Sequence, residues 1–333
     1  MATGVARALT IAVPTAAPWP AVSRSRSYLF TRGSVHLSRG VVYALSAYLL
    51  WGVFPIYFKQ VQSVAPLEVL ANRMLWSLVF VAALLTALRG ARWPRDLLKD
   101  RPPLGWFVLS AVAVSLNWLI FIWAVNSGHI VDASLGYFIN PLLNVLVGAL
   151  FLQERLRPAH WAAVLLATLA VAWLTWSEGR LPWIGLTLAF SFSLYGLLRK
   201  RAPLGAVEGL AVETALLAPL AVAYLLWLAV RNESALVDAF THDPALVGWL
   251  LLAGPVTAVP LLFFAAGARR IPFATLGILQ YAGPSLQLLI GVRLYGEPFD
   301  IDKLVAYGLI WIALAIFSLD GLWQWRAGKA AHT

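Results

Sequence analysis

Two charged residues lie inside long apolar stretches of this 333-residue chain. Arg73 follows Asn72 roughly two turns into one stretch, and Glu213 precedes Thr214 at a similar depth in another. Inserting a charge at the centre of a membrane-spanning helix costs about 2.5 to 3.5 kcal/mol of free energy, so the charge usually faces the interior of a helix bundle or a water-filled cavity. In a functional interpretation, Arg73 binds an anionic or carboxylate group and Glu213 binds a cation or a proton. In a structural interpretation, each charge is buried and paired with backbone carbonyls or with a neighbour such as Glu68.

Two prolines interrupt other apolar stretches. Pro141 and Pro284 each remove a hydrogen bond to the carbonyl four residues earlier, which belongs to Tyr137 in one stretch and to Gln280 in the other. We predict that both prolines form hinges that matter for motion. The alternatives are ion coordination by the freed carbonyls, or a static kink compensated by water or a neighbouring hydroxyl.

Aromatic and amide side chains occur near the middle of the same stretches. Rings at that depth can build an apolar cavity with a few polar groups, as small-molecule sites require. Core packing is the simpler interpretation for any single ring, and amides more often join helices than contact ligands. The candidate substrate-binding residues are Trp51, Asn72, Arg73, Asn117, Trp118, Tyr137, Asn140, Tyr195, Glu213, Gln280 and Tyr281.

Motifs for catalysis and for cofactor binding are absent from the sequence. It contains no cysteine, no His-Glu-x-x-His, no Walker-type glycine loop and no acid pair placed for hydrolysis. The five histidines lie in tails, loops or span edges and form no cluster. We therefore predict no catalytic residue, no metal site and no cofactor.

The composition is that of a protein embedded in a lipid bilayer. Hydrophobic residues make up 61% of the chain, charged residues 12%, and the mean hydropathy is +0.78. Soluble proteins carry roughly a quarter charged residues, so a soluble fold is close to excluded. The net charge of +10 does not indicate nucleic-acid binding, because the basic residues form short clusters between apolar stretches.

Ten stretches are long and apolar enough to cross a membrane as helices, which requires about 20 residues because backbone groups in lipid must bond internally. We therefore predict an all-α integral membrane protein with ten transmembrane helices. The predicted spans lie near residues 40–58, 67–88, 104–126, 131–152, 158–176, 181–198, 207–230, 245–267, 273–294 and 301–319.

The charges of the connecting loops alternate along the chain. Positive charge concentrates in cytoplasmic loops, so the alternation predicts that both termini are cytoplasmic. The basic set is Arg89, Arg92, Arg95, Lys99, Arg101, Arg155, Arg157, Arg199, Lys200, Arg201, Arg269 and Arg270. The acidic set is Asp132, Glu178, Glu233, Asp238, Asp243, Glu297, Asp300 and Asp302.

The two halves of the chain resemble one another. A first match pairs Ser134, Leu135 and Gly136 with Thr275, Leu276 and Gly277. A second match, whose spacing is two residues longer, pairs Asn140, Pro141, Gly148 and Glu154 with Gly283, Pro284, Gly291 and Glu297. A duplication with five helices in each unit places the second unit upside down relative to the first. Inverted repeats of this kind form a binding site near the midplane and permit alternating access.

The sequence contains several distinctive runs: AYLLWG at 47–52 with Pro55 and YFK at 57–59, NW at 117–118, FIWAVN at 121–126, ASLGYFINPL at 133–142 and YGE at 295–297. Together these runs resemble the RarD (chloramphenicol-sensitivity) branch of the EamA family, in the drug/metabolite transporter superfamily. The resemblance covers about residues 38–320. It implies a ten-helix transporter of the bacterial plasma membrane, with two inverted repeats around a central cavity, and it supplies no substrate.

We therefore predict a secondary transporter, an exporter or permease, for small metabolites or drug-like molecules, with a proton or ion as a coupling partner. The alternatives are a membrane-embedded enzyme acting on lipid-linked substrates and a structural or sensory membrane protein. Residues 1–37 are expected to form a basic disordered tail, a targeting segment or the product of a misplaced start. The first repeat is predicted at 38–178, the second at 179–320, and a cytoplasmic tail at 321–333.

Overall fold

The computed structural model describes residues 39–99, 104–152, 157–201, 204–268, 270–271 and 279–330. Within these ranges the regular structure is helical. The predicted tail at residues 1–37 lies outside them, as do Glu154 and residues 275–277 of the internal repeat. Three basic residues of the predicted loops, Arg101, Arg155 and Arg269, also lie outside the described residues. The helices of the described part are α1 (Arg39–Gly52), α2 (Phe54–Gln60), α3 (Pro66–Arg89), α4 (Trp93–Lys99), α5 (Leu104–Asn126), α6 (Ile130–Leu152), α7 (Pro158–Ser177), α8 (Trp183–Arg201), α9 (Ala206–Val230), α10 (Ala235–His242), α11 (Pro244–Leu251), α12 (Ala253–Ala268), α13 (Ala282–Leu289) and α14 (Ile301–Ala330).

Eight helical segments of the described chain are long and apolar enough to cross a membrane. They correspond to eight of the ten predicted spans. The sixth predicted span is a shorter apolar helix, Trp183–Arg199. The ninth falls partly outside the described residues and otherwise comprises α13 and a π-helix, Ile290–Leu294. The prediction of an all-α integral membrane protein is confirmed, while the count of ten helices stays a prediction.

Two spans consist of two helices with a break between them. The first span divides at Val53, where Pro55 occupies the first turn of α2, a position at which proline loses no helical hydrogen bond. The eighth span divides at Leu252, between α11 and α12. These breaks are absent from the sequence prediction, because apolar composition continues across both of them.

The two candidate hinge prolines lie in different local structures. Pro141 is inside α6, whose helical assignment continues from Ile130 to Leu152. Pro284 is in the first turn of α13, directly after the chain turns at Tyr281. The sequence treats the two prolines as equivalent, whereas a turn accompanies only Pro284.

The main helix interfaces join segments from the two predicted repeats. Helix α3 packs on α9, α5 and α6 pack on α8, and α1 packs on α12. The pair α3 and α9 is antiparallel: Arg89 at the end of α3 forms an ion pair with Glu208 at the start of α9. At the opposite end, Glu68 near the start of α3 accepts hydrogen bonds from Ser234 and Leu236, which follow α9. We call these the Arg89 end and the Glu68 end of the bundle.

Candidate functional site

The guanidinium of Arg73 is enclosed by aromatic rings. Arg73 is 3% exposed, and its Cζ lies 3.9 Å from the ring centre of Trp118 and 5.6 Å from those of Phe54 and Phe58. Its Nε donates a hydrogen bond of 2.8 Å to Thr257 Oγ1. Cation–π contacts strengthen when they are desolvated, so these rings compensate part of the cost of burying the charge.

No carboxylate partners Arg73 within the described residues. Glu68, the partner considered from the sequence, instead accepts hydrogen bonds from Ser234 Oγ at 3.1 Å and from Leu236 N at 3.2 Å. The structural interpretation in which Glu68 pairs with Arg73 is therefore wrong. Glu68 stabilises the start of α10, where backbone N–H groups have no partner within the helix.

Polar atoms on the neighbouring turns of α3 are buried without a protein partner among the described residues. They are Asn72 Oδ1, Trp76 Nε1 and Ser77 Oγ. The amide nitrogen of Asn72 bonds to its own helix, at Glu68 O. Because Ser77 lies four residues after Arg73, both side chains share one face of α3. Buried polar atoms in native proteins generally find a partner, so this face is suited to water or a polar ligand.

The carboxylate of Glu213 is held by three side chains. Ser110 Oγ donates a short hydrogen bond to Oε1, and Tyr195 OH lies 3.5 Å from Oε2. Arg199 Nη1 lies 3.8 Å from Oε1, so Glu213 has an ion-pair partner. Glu213 itself is 1% exposed.

Arg199 is a residue of this site that the sequence prediction missed. We expected it in a basic loop, but it lies within α8, and Nη2 donates to Gly205 O at 2.7 Å. Gly209 gives it room, since a Cβ at that position would overlap Nη1. The available signal was its position four residues after Tyr195, which places both side chains on one helix face.

The structure does not bring Arg73 and Glu213 into one site. Arg73 lies five residues from Glu68, and Glu213 lies five residues from Glu208, on antiparallel helices that meet at opposite ends. At 1.5 Å per residue, this leaves roughly 16 Å between them along the helix axes. The two charges therefore form separate sites, one nearer each end of the bundle.

The candidate amides Asn117 and Asn140 bind α8. Asn117 Nδ2 donates to Leu188 O at 2.9 Å and to Ser191 Oγ at 3.1 Å, and Asn117 Oδ1 accepts from Tyr137 OH. Asn140 makes the equivalent pair of bonds, to Ala189 O at 3.1 Å and Ser193 Oγ at 2.9 Å. These bonds join helices in the way that polar side chains commonly do in membranes.

The remaining candidates, Trp51, Gln280 and Tyr281, have no hydrogen bond or ion pair with either charge among the described residues. Trp51 packs against Tyr48 and Phe264, and its carbonyl accepts a hydrogen bond from Gln287. Gln280 is half-buried. Tyr281 lines a cavity of about 270 Å³, and neither Arg73 nor Glu213 contributes to its lining. The residues around this cavity are Phe138, Tyr281, Ser285, Trp311, Leu314, Ala315 and Ser318.

Comparison with known proteins identifies relatives along most of the chain. Residues 38–176 match the EamA-like transporter family. The chain is 46% identical to "Uncharacterized transporter PA0485" of Pseudomonas aeruginosa, over 88% of this chain and 97% of that protein. It is 46% identical to "Protein RarD" of Salmonella typhi, over 86% and 97% of the two chains. A solved structure titled "Crystal structure of protein" aligns with a TM-score of 0.53 and 21% identity, over 85% of this chain and 98% of that one.

The apolar helices and the charges buried between them define a multi-pass membrane protein. The chain belongs to the EamA-like transporter family, in its RarD branch. The resemblance inferred from the sequence motifs is thereby confirmed. The solved structure is too distant in sequence to indicate more than a shared fold.

Proposed function

We propose that this membrane transporter of the drug/metabolite type is a secondary transporter that works by alternating access and carries small metabolites or drug-like molecules with an anionic group. The observation that carries the proposal is the guanidinium of Arg73, which is buried among aromatic rings with no carboxylate partner in the described residues. Family membership supports transport rather than catalysis, because the relatives are named as transporters.

The geometry of Arg73 suits recognition of a carboxylate or a similar anion. Trp118 covers a face of the guanidinium, and Nε bonds to Thr257. The two terminal nitrogens make no hydrogen bond within the described residues. A guanidinium presents its N–H donors in a planar fork that matches a carboxylate in a bidentate arrangement. An anionic ligand would therefore satisfy both the donors and the charge.

Glu213 is the proposed site for a coupling proton or cation. Its carboxylate is buried on a spanning helix, and ionisable groups at such positions mark proton and ion pathways in transporters. The site is separate from Arg73, so substrate and coupling ion would bind at different depths. Coupling would then depend on movement of the two repeats against each other.

We test the substrate assignment with purified protein and a panel of carboxylates, phosphates and amines, reading ligand-dependent shifts in melting temperature. Wild-type protein should be stabilised by at least one anion, and Arg73→Gln should lose that shift while remaining monodisperse. Arg89→Gln is the matched control, because Arg89 is on the same helix but its side chain is 58% exposed in an ion pair with Glu208. Anion stabilisation that survives in Arg73→Gln would contradict the proposal.

The proposed location is the bacterial inner membrane, with both termini in the cytoplasm. The support is the alternation of loop charge. Reporter fusions at Arg95 and Lys200 should then be cytoplasmic, and a fusion at Asp238 should be external. An external reporter at Lys200 would overturn both the orientation and the inverted repeat.

A further inference from the structure

Each of the two buried charges contacts a hydroxyl group that belongs to the other predicted repeat. Arg73, on α3 of the first repeat, donates to Thr257 on α12 of the second. Glu213, on α9 of the second repeat, accepts from Ser110 on α5 of the first. In both cases a charge on the second span of one repeat meets a hydroxyl on the third span of the other.

The polarity of each hydroxyl suits its charged partner. Thr257 donates its own proton to Ala253 O at 2.8 Å, so its oxygen is left to accept from the Arg73 guanidinium. Ser110 donates its proton to the Glu213 carboxylate. Both hydroxyl residues are 2% exposed, so neither contact is weakened by bulk water.

The two charged residues lie toward different ends of the bundle. Arg73 is nearer the Glu68 end and Glu213 is nearer the Arg89 end. The hydroxyl residues are not at equivalent depths, because Thr257 lies further along its span than Ser110 does. Arg73 Nε nevertheless reaches Thr257 Oγ1 at 2.8 Å. A rocking motion that opens one end must separate the repeats there and can leave the contact at the other end in place.

We propose that Arg73–Thr257 and Glu213–Ser110 are reciprocal gate contacts, in which Thr257 and Ser110 are positioning residues. The contact of Glu213 with Ser110 stabilises closure of the Arg89 end. The contact of Arg73 with Thr257 stabilises closure of the Glu68 end. Loss of either contact shifts the population toward the state that is open at its own end. This inference rests on the proposed transport by alternating access.

The absence of cysteine from the chain permits a direct test by cross-linking of introduced cysteine pairs. Arg89→Cys with Glu208→Cys reports on the Arg89 end, where the two residues form an ion pair. Lys59→Cys with Tyr295→Cys reports on the Glu68 end, where Lys59 Nζ lies 5.3 Å from the ring centre of Tyr295. The yield with a short bismaleimide is measured for each pair in membrane vesicles.

Ser110→Ala should lower the ratio of closed to open states at the Arg89 end by roughly tenfold, the change expected from one net hydrogen bond to a charged group. The cross-linking yield at that end should fall accordingly, and the yield at the Glu68 end should stay unchanged or rise. Thr257→Val should do the reverse, and Thr257→Ser should restore the wild-type pattern. Ser115→Ala and Thr214→Val are matched controls, because their hydroxyls bond to carbonyls of their own helices, at Ala111 and Leu210. Both controls should leave the yields at both ends unchanged.

Equal changes at both ends, or changes as large in the controls, would overturn the gate inference and leave the contacts as packing. Thr257→Ser keeps the hydroxyl group and changes only the methyl group at the same position. Recovery of the wild-type cross-linking pattern in Thr257→Ser therefore separates loss of the gate contact in Thr257→Val from a general folding defect. The outcome is also distinct from that of the anion test. Anion binding that depends on Arg73, together with cross-linking that ignores Ser110 and Thr257, would sustain the proposed substrate class and refute the gates.

Discussion

Arg73 and Glu213 occupy matching depths in the second span of each predicted repeat, yet the protein balances their charges in different ways. Glu213 has the guanidinium of Arg199 at 3.8 Å and a hydrogen bond from Ser110, so its negative charge is compensated within the protein. Arg73 has aromatic faces and one hydroxyl, and no carboxylate in the described part of the chain. This difference supports the proposal that Arg73 binds an anion from outside, whereas the Glu213 carboxylate already has a counter-charge in Arg199.

The largest effect that tests this contrast is expected from Arg199→Met. Removing one partner of a buried ion pair leaves the other charge uncompensated, and such changes cost about 3 to 5 kcal/mol. Because the Arg199 side chain is 15% exposed, we expect a loss near the lower end, about 3 kcal/mol. Thermal unfolding in detergent measures the loss.

The double variant Arg199→Met/Glu213→Gln provides the control for that experiment. If the destabilisation comes from a buried carboxylate without a counter-charge, neutralising Glu213 should recover most of the lost stability. Equal stability of the single and double variants would mean that Arg199 acts through packing over Gly209 and Phe107. The Glu213 carboxylate would then be stabilised by its hydrogen bonds with Ser110 and Tyr195 alone.

A smaller effect is expected from Trp118→Leu at the other site. The Trp118 ring is the closest aromatic contact of the Arg73 guanidinium, and a desolvated cation–π contact contributes about 2 kcal/mol. We expect weaker anion-dependent stabilisation, with a rise of up to roughly thirtyfold in the anion concentration required. Trp183→Leu is a suitable control, because Trp183 packs on Trp123 and contacts neither charge. Equal loss in both variants would contradict a specific role for Trp118.

The spans and the burial of the two charges could be predicted from the sequence because a membrane restricts the solutions. Backbone groups in lipid must find their hydrogen bonds within helices, and a charge within a span must face the interior. Arg73 and Glu213 are accordingly buried at 3% and 1% exposure. The shortened apolar helix at Trp183–Arg199 and the breaks at Val53 and Leu252 depend on packing, which composition does not record.

The partners of the candidate residues were harder to predict. Asn117 and Asn140 donate hydrogen bonds to backbone carbonyls of α8. Every residue has a backbone carbonyl, so the sequence does not show which one accepts. Arg199 is next to Lys200 and Arg201 in the sequence, and such a basic cluster is typical of a cytoplasmic loop. Only the fold shows that its side chain turns back toward Glu213, across the space that Gly209 provides.

An intermediate loss of stability is expected from Gly209→Ala. The added methyl would overlap Nη1 of Arg199 and displace the guanidinium from Glu213. The alanine also favours the helix by about 1 kcal/mol, so the net destabilisation should be about 1 kcal/mol, well below that of Arg199→Met. Gly196→Ala is the control, since nothing lies within 4 Å of its Cβ position, and it should be neutral or stabilising. Similar outcomes at Gly209 and Gly196 would show that the ion pair tolerates displacement.

The smallest effect on stability is expected from Arg73→Met, the counterpart of the first substitution. This change removes the contacts with Trp118 and Thr257, but it also removes a buried charge that has no carboxylate partner in the described residues. The two terms oppose each other, and replacing a buried charge with an apolar side chain of similar size is often neutral, so unfolding should change by less than about 1 kcal/mol. Anion-dependent stabilisation should be lost completely in the same variant. A loss of stability comparable to that of Arg199→Met would mean that Arg73 is a structural charge with its own partner, and the contrast between the two sites would fail.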